Sequence, residues 1–472
     1  MRRAKIVSTL GPAVASEEKI RELIEAGVDV ARINRSHGSA EEHAQQIAWV
    51  RAASEATGRA VAVLVDLQGP KIRTGRFSGG PVTLAPGDRF TITIDDVDGD
   101  QNRVSTTFKG LPGDVRPGDM LLIDDGKVLL RAREVSETDV VTEVEVGGVV
   151  SNNKGINLPG VAVSVPALSE KDEEDLRWGL REGADWIALS FVRDARDVER
   201  CHEIMAEEGI VRPVIAKIEK PQAVANLAEI IDAFDGIMVA RGDLGVEMPL
   251  EEVPLVQKTA VELARRQAKP VIVATQVLES MIENPRPTRA EASDCANAVL
   301  DGADAIMLSG ETSVGAWPII AVRTMARIIE NTEDHGLGRI PPLGSTPSTT
   351  GGAITRAAAE IGQFLHAKYL VVFTTSGDSA RRMSRVRPSL PMIAFSQEEQ
   401  TRRRLALTWG ITTINLPMIE TMAEMVTHAD EILLAQSRCT EGDAIVVVAG
   451  VATGVSGSTN TLQVHRVGVS GT

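Results

Sequence analysis

The chain has 472 residues, enough for two to four domains and a large core. Hydrophobic residues make up 43% and charged residues 24%, ordinary values for a soluble globular protein. A formal net charge of −15 sets the chain against nucleic acid or an anionic membrane as its main partner.

Cys201, Cys295 and Cys439 are too scattered for a disulfide framework or a zinc spacing, and they fit a reducing, cytoplasmic compartment. Arg2 and Arg3 superficially imitate the start of a signal peptide. Lys5, Ser8, Thr9, Gly11 and Pro12 break the apolar stretch that such a peptide needs. No run approaches the roughly 18–20 apolar residues of a membrane span.

In chain order, residues 5–10, 28–34 and 60–67 read as strands, with helical stretches at 17–26 and 40–57 between them. From Gly69 to about Pro166 the texture changes to Val, Thr, Gly and Asp with Pro-Gly turns and period-2 runs such as VVTEVEV (140–146). This predicts a small all-β unit. Alternation resumes after Leu168, where Ser169 followed by acidic residues predicts a helix start. Further strands are expected at 186–191, 214–219, 236–240, 271–275 and 305–309.

Three strands before the β unit and five after it give the count of a (β/α)8 TIM barrel, with the β unit inserted as a small β-barrel lid. The expected boundaries are 1–69 and 167–338 for the barrel and 70–166 for the lid. A Gly/Pro/Ser/Thr-rich linker around 336–352 leads to a separate C-terminal α/β unit, 339–472, with strands at 369–374, 392–395, 411–415, 444–449 and 462–467.

Three barrel strands end alike: VIAKIE (214–219), GIMVARGD (236–243) and PVIVATQ (270–276) each finish in polar side chains. Ligands sit at that end of parallel strands. Residues two apart on a strand share a face, so Lys217 and Glu219 point into the barrel mouth, with Asp243 on the next tip and Gly242 allowing close approach. Glu219 with Asp243 suits Mg²⁺, which takes one or two protein carboxylates and fills its octahedron with water and substrate oxygens.

Arg32, Asn34 and Ser36 share a face of the second strand; Asp66 stands at the third tip with Lys71 and Arg73 just past it. Arg32, Arg73, Lys217 and a divalent metal would neutralise a transferring phosphoryl group. Neither a Walker loop nor a GxGxxG is present. For each tip taken singly, an ion pair or a turn residue is the competing explanation.

Together these motifs resemble pyruvate kinase: IVSTLGP (6–12), RINRSHG (32–38), DLQGPKIRTG (66–75), NLPG (157–160), KIE (217–219), MVARGDLG (238–245), ATQ (274–276), MLSGET (307–312) and GSTN (457–460). The likeness spans essentially the whole chain. It implies transfer of the phosphoryl group of phosphoenolpyruvate to ADP, giving pyruvate and ATP.

The resemblance assigns Glu219 and Asp243 to Mg²⁺ (or Mn²⁺) and Lys217 to the phosphoryl group and enolate. Arg32 would contact phosphate, and Gly242, Asp243 and Thr275 would hold the substrate. Asn34, Arg35, Ser36, His37, Arg73 and Lys154 would line the nucleotide, with Lys154 reaching it from a closing lid. Ser309 and Glu311 match a polar relay toward the enolate proton. A K⁺ position is implied at Asn34, Ser36, Asp66 and Leu67. A homotetramer and a phosphorylated effector at Thr374, Thr375, Ser376, Gly377 and Ser379 with the 451–460 loop are implied as well.

Two departures carry expectations. Arg35 replaces the usual Phe and either alters nucleotide contact or is a surface arginine. Lys71 replaces a frequent Glu, and its ammonium is expected to supply the charge of K⁺. Asp378 stands where Thr is common and would repel an effector phosphate; an ordinary strand–helix turn is the alternative there. A metal-dependent barrel lyase or aldolase and an idle metabolite-binding regulator remain the competing functions.

Overall fold

Eight short apolar strands run parallel and close on themselves in sequential order: Lys5–Thr9, Val30–Asn34, Ala62–Asp66, Trp186–Leu189, Val214–Ile218, Gly236–Ala240, Val271–Ala274 and Ala305–Leu308. The last strand returns to the first with Lys5 opposite Ala305, so no edge is left open. The computed structural model describes residues 2–161, 163–417, 421–450 and 459–469.

Alternation sorts each strand. Val7, Val30, Leu64, Ile215, Met238, Ile272 and Met307 fill the barrel interior, while their strand neighbours Ile6, Ile33, Val65, Ala216, Val239 and Val273 pack outward. Helices form where apolar stripes meet good starts. Ser39 and Ser169 each close a capping box, with Glu42 and Asp172, and helices Ala40–Thr57 and Glu170–Arg181 follow them.

Between the third and fourth barrel strands lies the lid, a six-stranded sheet and a two-stranded one over their own core of Phe90, Leu121, Leu130 and neighbours. The expectation of a purely β unit is corrected by one helical turn, Leu111–Asp114, where Pro112 presets the backbone. The C-terminal strands form a five-stranded sheet, parallel except for Thr459–Arg466, which pairs antiparallel with Ala444–Gly450.

The C-terminal unit plugs the barrel end opposite the strand tips. Ala406 and Leu407 join the interior cluster. Asp304 accepts from the Trp409 amide at 3.1 Å and pairs with Arg387 at 3.0 Å, while Arg387 donates to the Gly302 carbonyl and lies over the Trp409 ring. Only the other mouth is left for chemistry. Removing one partner of a buried pair strands the other, so Asp304→Ala is expected to cost about 3–5 kcal/mol in chemical unfolding followed by Trp fluorescence. A loss within about 0.5 kcal/mol, the range of surface substitutions, would mean the docking does not depend on this pair.

Candidate active site

The strand tips converge on one ammonium. Lys217 Nζ lies 2.8 Å from Ser190 Oγ, 2.9 Å from Glu219 Oε1 and 3.4 Å from Asp66 Oδ1. Burial pulls its pKa down, but the Asp66 and Glu219 carboxylates more than offset this and hold it above the usual lysine range. Arg32 meets Asp66 from the other side, Nε to Oδ2 at 2.6 Å, and donates to Thr9 Oγ1 at 2.9 Å. Lys217, Glu219, Asp66 and Arg32 are therefore one cluster, as strand alternation places them.

Glu219 is 1% exposed, and its second oxygen accepts the Phe191 amide at 2.7 Å. Burial and the charge of Asp243 push its carboxyl up, while Lys217 opposes them. The contacts of Lys217 with Glu219 Oε1 and Asp66 Oδ1 are close charge contacts without hydrogen-bond direction, so both buried oxygens keep an unfilled acceptor direction. That is the donor set a hard cation needs. Among the described residues no group of three His, Cys, Asp or Glu side chains could hold a metal alone. Glu219 and Asp243 with substrate oxygens fit Mg²⁺, which needs no more protein ligands.

Asp243 does not stand on a strand tip as expected but in the first turn of helix Arg241–Glu247, one residue past Gly242. The Gly242 amide donates to Thr275 Oγ1 at 2.7 Å. Thr275 and Gln276 take φ of 68° and 53°, conformations that side-chain-bearing residues adopt rarely. Arg241 holds that turn by donating to the Thr275 carbonyl at 2.8 Å while paired with Asp294 at 2.7 Å. Phe191 is likewise at φ 55°, and Gly69 makes room for it: a Cβ on Gly69 would fall 2.7 Å from the Phe191 ring.

A cavity of about 860 Å³ opens beside the cluster, lined by Thr9, Arg32, Asn34, His37, Gln46 and Ser309, among others. Asn34 Oδ1 accepts the Ser36 amide at 3.2 Å, and His37 is exposed. Leu67 places its carbonyl toward Ser190 Oγ at 2.7 Å. Ser309 Oγ is buried without a partner. Glu311 does not bond to that hydroxyl; its carboxylate accepts the amides of Ser309 and Leu278, and burial raises its pKa. The expected relay is thus not a side-chain chain in this structure.

Arg73 and Lys154 sit on the lid, donating to the Asn153 carbonyl at 3.0 Å and pairing with Asp124 at 3.0 Å. Lys71 does not lie against Asp66. Its ammonium is 4.0 Å from Asp125 of the lid, and its stem runs past Gly155.

Arg35 is neither at the nucleotide cavity nor on the surface. It is buried between helices, bonded to Asp175 Oδ1 at 2.6 and 3.0 Å and to His43 Nδ1 at 2.5 Å, with its guanidinium 4.2 Å from the Trp178 ring centre. The opposite-face position was readable from alternation; its partners on two other helices were not. At the C-terminal site, Thr374 Oγ1 accepts the Gly377 amide at 2.9 Å, and the Thr375 and Ser376 carbonyls face Thr401 and Arg381. Ser379 Oγ is bonded to Thr459 at 2.5 Å. Residues 451–458 of the expected effector loop lie outside the described residues.

The sequence reading missed Ser190, Thr9 and Arg241. Ser190 had a signal, being the polar end of the fourth predicted strand; Arg241 showed only as part of a motif.

Arg35 has a consequence for pH. It can only donate, so His43 Nδ1 accepts and the ring proton sits on Nε2. Burial first, and then the Arg35 charge, push the His43 pKa down to about 4, with Lys171 adding to Arg35 and Glu42 and Asp175 opposing. Unfolded histidine titrates near about 6.5, so the unfolded chain takes up a proton that the folded chain refuses, and stability falls as pH drops from about 6.5 to about 4. NMR titration of the His43 ring is expected to give a midpoint near 4 that rises in Arg35→Phe. Equal midpoints would clear Arg35 as a cause.

Residues 1–322 match the family described as "Pyruvate kinase, barrel domain" and residues 352–465 the one described as "Pyruvate kinase, alpha/beta domain". The pyruvate kinase of Corynebacterium glutamicum is 57% identical over 467 residues, covering 99% of this chain and 98% of the relative. That of Mycobacterium tuberculosis is 56% identical, covering 99% of each. A crystal structure of a pyruvate kinase from Cryptosporidium parvum superposes with a TM-score of 0.92 at 35% identity, covering 99% of this chain and 96% of that one. Two matched segments, unbroken likeness to these relatives and the closed barrel with its charged mouth lead to one conclusion: the chain belongs to the pyruvate kinase family.

Proposed function

We propose that this phosphotransferase passes the phosphoryl group of phosphoenolpyruvate to ADP, giving pyruvate and ATP, the last step of glycolysis in the cytoplasm. The observation that carries the reading is the Lys217 ammonium, buried at the barrel mouth between two carboxylates that keep open acceptor directions. Glu219 and Asp243 would hold Mg²⁺, which when bound spreads charge over the transferring oxygens. Lys217 and Arg32 stabilise the phosphoryl group, and Lys217 then faces the enolate oxygen it leaves. Thr275 and the Gly242 backbone orient the substrate carboxylate end. Asn34 and His37 lie on the cavity side where ADP would enter, and Ser36 with Arg73 and Lys154 from the lid would join them. Lid closure excludes water from the phosphoryl group.

The proposed units are 1–69 with 167–338, 70–166, and 339–472. A phosphorylated effector at Thr374–Ser379 is supported by the Gly377 turn and by the Arg382–Asp378 contact at 2.6 Å, which takes up the charge that would repel phosphate. Exposed Phe364, Leu250 and Leu255 are in keeping with a homotetramer.

Pyruvate formation from phosphoenolpyruvate with Mg²⁺ is expected to require ADP and to fall by about 10²–10³-fold in Lys217→Met, the usual cost of removing one charge-stabilising donor. Turnover without ADP would favour a barrel lyase instead. No turnover in the intact chain would favour a binding regulator.

Activity without K⁺ is also proposed, with Lys71 bringing its charge to the Asn34, Ser36 and Asp66 corner when the lid closes. Swapping a large inert cation for K⁺ is expected to change the rate by less than about tenfold, or about 1.4 kcal/mol of activation barrier. Lys71→Glu is expected to create a K⁺ requirement. A larger K⁺ response in the unmodified chain would refute it.

A further inference from the structure

The lid meets the barrel at a buried polar junction that none of the assigned roles uses. Asn157 stands in the last strand of the lid: with Ile156 it forms a short strand paired to Leu122 and Ile123, so it moves with the lid sheet. Its Nδ2 donates to Glu247 Oε1 at 2.8 Å, and the same oxygen accepts from Lys220 Nζ at 2.7 Å. Asn157 is 7% and Glu247 3% exposed, so neither group has a ready alternative in water.

The placement of the junction is what gives it meaning. Glu247 closes the helix whose first turn carries Gly242 and Asp243, so the two acids share one rigid seven-residue element. Lys220 directly follows Glu219, and its ammonium lies 5.5 Å from the Phe191 ring centre. The Phe191 amide is the group that fixes Glu219 Oε2. One carboxylate oxygen thus ties the lid to the two backbone segments that carry Glu219 and Asp243. Asn157 Oδ1 is buried without a partner, so the amide is there for what its NH₂ holds.

We propose that Glu247 is a positioning residue that couples lid position to the geometry of Glu219 and Asp243, with Asn157 as its contact on the lid. The inference rests on the pyruvate kinase reading. It predicts that cation binding at the two acids and ordering of the lid are linked, each favouring the other by the same factor.

Asn157→Ala removes only the lid contact and leaves the Lys220–Glu247 pair intact. Two readouts test it, alongside a check that the circular dichroism spectrum is unchanged. The Mg²⁺ concentration for half-maximal rate is expected to rise about tenfold with kcat changed less than about threefold, the pattern of a lost positioning contact. Hydrogen exchange in the segment after Asn157, at Leu158 and residues 163–168, is expected to slow when Mn²⁺ and phosphoenolpyruvate are added to the unmodified chain and not to slow in Asn157→Ala.

In Glu247→Met, which removes the acceptor of the Asn157 amide, adding Asn157→Ala is expected to change neither readout further, because both act through one link. Mg²⁺ dependence and exchange protection both unchanged in Asn157→Ala would overturn the proposal. So would additive effects in the double variant. An unmodified chain that makes no pyruvate would instead overturn the reading beneath it, which separates the two failures.

Discussion

Charge balance in a dry place is the constraint on which the rest of this structure depends. Asp66, Glu219 and Asp243 bring three negative charges to the barrel mouth, and Lys217 and Arg32 bring two positive ones. Asp66 and Glu219 are each 1% exposed, so the surplus negative charge is poorly screened and carries a desolvation cost. Such a site is held by charges locked to each other, and the shortfall in positive charge is what the proposed cation would make up.

Locking those charges needs backbone that ordinary loops do not supply. Ser190, Glu219, Thr275 and Ser309 each lie one residue beyond the end of a strand, where ladder bonds stop and the chain must turn at once. Phe191, Thr275 and Gln276 pay for that turn with left-handed backbone, of order 1–3 kcal/mol each. The surroundings hold them there through the Glu219–Phe191 amide bond, the bare Cα of Gly69 and the Arg241 fork across the Ala274 and Thr275 carbonyls. The plugged far end matters for the same reason: with Trp409, Arg387 and Asp304 packed beneath it, the barrel is a stiff base against which such strain persists.

Much of this was legible in the sequence because two short periodicities govern it. Alternation within a strand put Lys217 and Glu219 on one face and sent Arg35 to the other, and the apolar-body, polar-tip pattern located the mouth. What was not legible depends on contacts between residues far apart in the chain. Arg35 reaches Asp175 across 140 positions, and Asn157 reaches Glu247 across 90. No local pattern encodes either meeting. Lys71 shows the same limit: its position after the third strand was clear, but the hinge sends its ammonium toward the lid and not toward Asp66.

The lid cations suit the proposed closure, because they are held by pairs that water already competes for. Lys154 is paired with Asp124, which also holds Lys127, and the two lysine side chains are 34% and 73% exposed. Pairs of this kind contribute about 0–1 kcal/mol, since water competes for both partners. In the proposed reading, trading Asp124 for a nucleotide phosphate would therefore cost Lys154 little, and Lys127 would keep Asp124 from being stranded. The Lys220–Glu247 pair at the lid base is the opposite case, buried and hard to break. In the proposed closure, an exposed Lys154–Asp124 pair and a buried Lys220–Glu247 pair would let the lid exchange its ligand contacts while its base stays in register with the acids below.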